Sequence, residues 1–431
     1  MSSSLPTSKV ARAARLAGAG LRVGANYVKS AVRQAAGADL PDVARAARDE
    51  ANATALFDAF STLRGGALKF AQVLSMDRTG LLPRAYADRF ALAQHQAPPL
   101  SGPLVVKTFR AATGKTPGEL FDSFDLTATA AASIGQVHRA TLGGQTLAVK
   151  VQYPGVADSI RSDINLIKPV AFRVLGLSEA DFREYIAEVE GKLVEETDYA
   201  RELTQSRELA AACGHIAGLR FATYHPELSG PRVLTMDWLP GLHLKEFLAT
   251  NPPQAVRDRI GRALWEFYAH QLHTLRRVHA DPHPGNFLFS EENGGTAAVL
   301  DFGCVKEVPA DFHDAYFAVV NPEIYSDDAR LEPVLVALDM LRPTDTPEMR
   351  ALVFDIAHRT LPLLARPFVE PGFDFGDPAY QQQITALAEE FAAHPLLRSQ
   401  REPRGSRHFI YVNRAYFGLY TLLGDLRTRL T

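Results

Sequence analysis

At 431 residues, with 46% hydrophobic and 22% charged positions, the chain has ordinary globular values and is long enough for two or three domains of about 150 residues each. This excludes a wholly disordered, collagen-like or disulfide-stapled protein, and a formal charge of −3 points to no nucleic-acid partner. Cys213 and Cys304 build no disulfide framework and fit a reducing compartment, while the longest stretch without Asp, Glu, Lys or Arg, Phe90 to Val106, holds too many prolines and polar side chains to cross a bilayer.

Residues 1–38 carry Lys9, Arg12, Arg15, Arg22, Lys29 and Arg33 and no acid. On a helical projection the arginines from Arg12 on share one arc with Lys29, and Val10, Leu21, Val28 and Val32 form a separate apolar stripe. Such a basic amphipathic helix reads as an element for an anionic membrane surface. The alternatives are a helix docked on the body with a solvated basic face, and a transit peptide. Residues 42–94 read as helices with short breaks, and Gln96 to Pro103 is the clearest linker.

After the linker come short strands, Gln136 to Ala140 and Thr146 to Tyr153, split by Gly143-Gly144. Before them, Ala130-Ala131-Ala132-Ser133-Ile134-Gly135-Gln136-Val137 has the frame of a phosphate-covering loop, G-x-G-x-x-G-x-V, with alanine at the first two glycine positions. Each alanine adds a methyl group and restricts φ, so this loop approaches phosphates differently. In the second strand Leu147, Val149 and Val151 share one face, which projects Lys150 from the other.

Asp181 to Ala212 is one long helical pattern with an apolar stripe through Phe182, Ile186, Val189, Leu193, Ala200 and Leu203. Glu196 falls inside the stripe, whereas Glu195 and Glu202 fall outside it. A carboxylate on a buried face is costly unless paired, so Glu196 is the expected partner of Lys150. Val233 to Met236 reads as a strand and Gln254 to Val278 as a helix. Phe287 to Phe289 and Ala297 to Asp301 flank the turn Glu291 to Gly295 as a hairpin, and helices dominate from Pro309 onward.

Around that hairpin lies the chemistry. His279-Ala280-Asp281-Pro282-His283-Pro284-Gly285-Asn286 is followed, across the hairpin, by Asp301-Phe302-Gly303. The ordered pair H-x-D-x-x-x-x-N and D-F-G is the catalytic-loop and metal-loop arrangement of protein-kinase-like enzymes. In that arrangement Asp281 faces an acceptor hydroxyl as base, and Asn286 and Asp301 supply the hard oxygen ligands that Mg²⁺ requires. A zinc reading of His279, Asp281 and His283 leaves the downstream D-F-G unexplained.

The alanine-rich run Ala130 to Ala140, the segment Val149 to Val156 (V-K-V-Q-Y-P-G-V) and Glu196 to Glu202 (E-T-D-Y-A-R-E) together resemble the UbiB family, also called AarF or ADCK, of atypical kinase-like proteins. The resemblance covers most of the chain. It implies an α+β, bilobal protein-kinase-like fold: an N-lobe with a small antiparallel sheet and helices, a mostly helical C-lobe, and an N-terminal helical extension. The expected boundaries are 1–100 for the extension, 101–240 for the N-lobe and 241–431 for the C-lobe. The family's K-x-G-Q motif corresponds to Lys69 and Gln72, with Ala71 where the family has glycine. Its extension is expected to lie across the groove where a protein kinase holds a peptide. Thr235, Met236, Asp237 and Trp238 resemble the adenine-binding hinge.

The expected cofactors are ATP and Mg²⁺. The expected activity is an ATP-dependent phosphotransferase or ATPase that supports isoprenoid quinone biosynthesis or lipid metabolism at a membrane face. Expected partners are a quinone or isoprenoid lipid, quinone-biosynthesis proteins and a second copy in a homodimer. The expected location is a cytoplasmic, peripherally membrane-associated one, or the mitochondrial matrix in a eukaryote. Two other readings stay open: a small-molecule phosphotransferase of the aminoglycoside or choline kinase kind, and a nucleotide-gated scaffold without catalysis.

Overall fold

The computed structural model describes residues 50–54, 57–58, 100–132, 134–157, 160, 162, 164–165, 190–191, 193–398 and 404–430. The expected membrane-surface helix of residues 1–38, the linker up to Pro99 and nearly all the helices of 42–94 lie outside them. The chain divides into two compact units, one comprising residues up to Leu203 with His225–Asp237, the other Thr204–Tyr224 with the chain from Trp238 on.

The first unit is built on an antiparallel sheet. Helix α1 (Gly102–Thr113) has Pro103 in its first turn, where a missing N–H costs nothing, and stops at Gly114, whose left-handed φ of 78° lets its N–H close on the Arg110 carbonyl. A single-turn helix α2 (Pro117–Leu120) leads to β1 (Ser123–Phe124), β2 (Ala130–Ala131), β3 (Gly135–Leu142) and β4 (Gln145–Gln152). Gly143 and Gly144, both at positive φ, make the two-residue turn between β3 and β4. With β6 (Val233–Asp237) the order is β1-β3-β4-β6, and β2 is added against β3. Leu147, Val149 and Val151 pack with Phe109 of α1, Phe121 and Val233 into one core. The alternation expected for β4 is therefore kept, with Lys150 on the opposite face.

The expected helix from Asp181 to Ala212 is not continuous. Residues 193–195 are helical, the chain turns at 196–198, and α3 (Tyr199–Cys213) starts afresh. Asp198 drives the restart: its carboxylate accepts the Arg201 N–H at 3.0 Å and its carbonyl the Glu202 N–H at 3.0 Å, the work of an N-cap. A break of this kind resets the helical phase, so a projection carried across it misplaces every later side chain.

In the second unit β5 (Leu219–Phe221) runs parallel to β9 (Thr296–Val299), which pairs antiparallel with β8 (Phe287–Ser290); the expected hairpin is β8–β9. After α4 (Leu244–Ala249), helix α5 covers Gln254–Ala269 rather than reaching Val278. Residues His270–Leu275 widen into a π-helix, Arg276 turns left-handed at φ 53°, and Arg277–His279 become β7, paired with β10 (Val305–Glu307). The wider turn points Gln271, fully buried, at the next segment, where its Oε1 accepts the His279 N–H at 2.8 Å. A side-chain-to-backbone bond at the widened turn thus accompanies the early end of the helical pattern.

Helices α6 (Ala310–Ala318), α7 (Pro322–Tyr325), α8 (Asp328–Ala337), α9 (Pro347–Val369), α10 (Pro378–Ala393), α11 (Pro395–Arg398) and α12 (Arg407–Leu426) complete the unit, with a small pair β11 (Phe373–Asp374) and β12 (Arg429–Leu430). The helices and small, mostly antiparallel sheets of the units are those of the α+β, protein-kinase-like fold expected from the sequence. Among the described residues no helix is long and apolar enough to cross a membrane.

Candidate functional site

Lys150 emerges from β4 with 6% of its surface exposed, and its Nζ donates to Glu202 Oε1 at 2.7 Å. The expected partner, Glu196, is not the one that pairs: it lies in the turn before α3, half-buried, and the first turn of α3 presents Glu202 instead. Tyr199, three residues earlier on the same face, lays its ring 4.9 Å from the same Nζ. One helical turn therefore supplies a carboxylate and an aromatic face to one buried ammonium.

The alanine loop is a tight hairpin. Ala130 pairs with Val137 and Ala131 with Gln136, and the Ala132 N–H bonds the Gly135 carbonyl at 2.9 Å. Gly135 is required by packing: a Cβ there would stand 2.4 Å from the Val151 carbonyl oxygen and 2.9 Å from the Tyr199 hydroxyl. Ser133 lies outside the described residues, as do Lys69 and Gln72.

At the hinge-like strand the backbone of Thr235 is occupied on both sides. Its N–H donates to Ser229 Oγ at 3.0 Å and its carbonyl accepts the His225 N–H at 2.9 Å. Strand alternation brings Asp237 to the same edge. Its carboxylate contacts His225 Nε2 at 2.9 Å and accepts from Gln145 Nε2 at 2.7 Å. Met236 is buried opposite Ala148, and Trp238 is half-buried.

In the second unit Pro284–Asn286 form one 3₁₀ turn, started by His283, whose Nδ1 accepts the Gly285 N–H at 3.0 Å. Asn286 Nδ2 donates to the Asp281 carbonyl at 2.9 Å and to its carboxylate at 3.2 Å. With the amide nitrogen spent on Asp281, the Asn286 side-chain oxygen is the atom left for a metal. Its backbone carbonyl accepts the Leu300 N–H at 2.9 Å, which couples the catalytic loop to the residue before Asp301. Asp301 accepts the Gly303 N–H at 2.6 Å, and the fully buried Phe302 lies against Phe221 and His279. Asn and Asp oxygens suit a hard cation, so this donor set fits Mg²⁺; among the described residues no group of three or more His, Cys, Asp or Glu could hold a metal.

The other Asp281 oxygen is held by Arg414 Nη2 at 2.6 Å, from α12. Helix α12 comes this close because of Gly418, one turn on, where a Cβ would overlap Pro282 of the catalytic loop. Neither Arg414 nor Glu202 was found from the sequence. The Arg414/Gly418 pair at i, i+4 is the signal that was there to read, while Glu202 was hidden by the phase break. Tyr268 of α5, fully buried, has its phenol raised well above the ordinary value, by burial first and then by the negative charge of Asp281.

The family model of the ABC1 atypical kinase-like domain matches residues 92–334. Among curated proteins, the chain is similar to Protein ACTIVITY OF BC1 COMPLEX KINASE 8, chloroplastic, of Arabidopsis thaliana, at 30% identity over 62% of this chain and 36% of that one. It is also similar to Atypical kinase COQ8B, mitochondrial, of Danio rerio, at 28% identity over 91% of this chain and 63% of that one. Atypical kinase COQ8, mitochondrial, of Saccharomyces cerevisiae is 27% identical over 89% and 76% of the two chains. The chain thus spans 36% and 63% of the lengths of the first two relatives. A solved structure of Rv3197 with erythromycin, from Mycobacterium tuberculosis, superposes with a TM-score of 0.62 at 24% identity over 90% of this chain and 95% of that one, a likeness of fold.

Proposed function

The chain belongs to the ABC1 atypical kinase-like family, the UbiB family, and from that premise we propose that it binds Mg·ATP and turns it over slowly in support of isoprenoid quinone or other lipid metabolism. The observation that carries the reading is the buried Lys150–Glu202 pair. A charged lysine and carboxylate buried together in a protein interior are costly as a structural device alone. As a ligand for the α- and β-phosphates it has a use.

In this reading Asn286 and Asp301 hold Mg²⁺, which supplies positive charge to the phosphates when bound. Asn286 is oriented for that by giving its nitrogen to Asp281. The alanine hairpin commits the backbone of Ala130, Ala131, Ala132 and Gly135 to its own ladder, so its grip on phosphate is weak. At the base edge, the backbone of Asp237, with Met236 and Trp238 beside it, takes the adenine role, since Thr235 is spent. Asp281 acts as base with one oxygen tied to Arg414, which restrains its approach to a hydroxyl or water. Lys69 and Gln72, by family likeness, restrict the acceptor to something small, membrane-presented or absent, and so exclude generic protein substrates.

Calorimetry tests the nucleotide reading. Asp301→Asn is expected to weaken Mg·ATP binding at least about tenfold while the melting curve stays near wild type, and unchanged affinity would remove the metal assignment. Efficient transfer of labelled γ-phosphate to a mixed protein substrate would remove the restriction on acceptors. For residues 1–38, co-sedimentation with anionic liposomes is expected to fall with salt and with their deletion, each basic residue giving about 1 kcal/mol. A quinone role predicts that cells lacking the protein accumulate quinone precursors.

A further inference from the structure

The strand that follows the alanine hairpin carries two polar side chains with no part in the nucleotide reading. Gln136 is 1% exposed and His138 is fully buried. They form one line of hydrogen bonds. The Leu100 N–H donates to Gln136 Oε1 at 2.8 Å, Gln136 Nε2 lies 2.8 Å from His138 Nε2, and His138 Nδ1 lies 2.7 Å from the Asp125 backbone carbonyl.

The line has only one workable direction. A backbone carbonyl accepts, so His138 carries its proton on Nδ1. A backbone N–H donates, so Gln136 turns its oxygen to Leu100 and its NH₂ to the imidazole. His138 Nε2 is then an acceptor, and the ring is neutral. A second proton on the ring would set N–H against NH₂. Flipping the amide repairs that contact and breaks the one to Leu100.

Leu100 is itself buried and stands immediately before the cap of α1. We propose that Gln136 and His138 form a proton-sensitive clasp that holds Leu100, at the entry to α1, against the sheet and releases it in acid. The surroundings suit such a device. Phe124 stacks on the imidazole at 5.0 Å, β4 presents Val149 opposite it, and among the described residues the charge that acts on it is that of Asp125. Burial, the larger effect, holds the His138 pKa below the ordinary value of 6.5, against the opposing pull of Asp125. The clasp is therefore closed through the neutral range and opens as the pH falls through that lowered value.

The test reads a backbone amide in the full chain and stands apart from the nucleotide assignment. Hydrogen-exchange protection factors, corrected for intrinsic exchange, are measured for Leu100 and for control amides of β4 at pH 8, 7 and 5. Wild-type protection at Leu100 is expected to drop about tenfold or more between pH 7 and 5 while β4 holds. Gln136→Glu should abolish that sensitivity, because both carboxylate oxygens accept and a protonated His138 becomes a suitable donor. Gln136→Met should lower protection at every pH. Wild-type protection that is indifferent to pH overturns the clasp, as does a Gln136→Glu chain with unchanged pH dependence; the wild-type series decides even if the methionine variant fails to fold.

Discussion

Truncating Glu202 tests a buried charge pair of the first unit. Lys150 and Glu202 side chains are 7% and 5% exposed, with Nζ and Oε1 2.7 Å apart. Glu202→Ala removes this carboxylate from the buried ammonium, while the Tyr199 ring stays 4.9 Å away. Loss of one partner of such a pair costs about 3–5 kcal/mol, and the ring returns about 1–2 kcal/mol of attraction already present before the change. At about 2–4 °C per kcal/mol for a unit of this size, Tm should fall by roughly 6–20 °C. Lys150→Met combined with Glu202→Leu should lose much less than the summed single changes, because no charge is then stranded. Glu196→Ala, in the turn before α3, should cost under about 1 kcal/mol. Thermal and urea unfolding of these variants and of the component single changes measure all of this. Strict additivity, or a Glu196→Ala loss equal to that of Glu202→Ala, would refute the reasoning.

Gly135→Ala should destabilise by about 1–3 kcal/mol, since its Cβ meets the rigid Val151 carbonyl at 2.4 Å, whereas Gly118→Ala, with open space around its Cβ, should melt with the wild type; equal melting of both variants would show that the hairpin yields freely. The half-buried Asp345–Arg404 pair makes an acid prediction: Arg404 holds the Asp345 carboxyl below the ordinary carboxylate range. A lowered folded-state value gives stability that is present above the unfolded carboxylate's pKa of about 3.9 and lost as pH falls through the lower folded one. Asp345→Asn should therefore flatten the acid side of the stability curve, and an unchanged acid slope in urea titrations at graded pH would contradict the assignment.

Much of this protein was legible in its residues because the signals are local. Alternation placed Leu147, Val149 and Val151 on one face and Lys150 on the other. Paired glycines marked the β3–β4 turn, and the segments either side of Glu291 to Gly295 marked the β8–β9 hairpin. Each of these is fixed by backbone geometry over a few residues, which a sequence displays directly. The partner of Lys150 was not local. It depended on whether the helix ran unbroken past residue 196, and Asp198, by capping a new helix, moved the productive face to Tyr199 and Glu202. Likewise Arg414 reaches Asp281 from 133 positions away because Gly418 lets α12 touch Pro282, and Gln271 reaches His279 only through a widened turn. Which charged groups meet is settled by long-range packing, where a single phase shift or a single missing methyl group redirects a whole helix face, and that is what the tertiary structure alone decided.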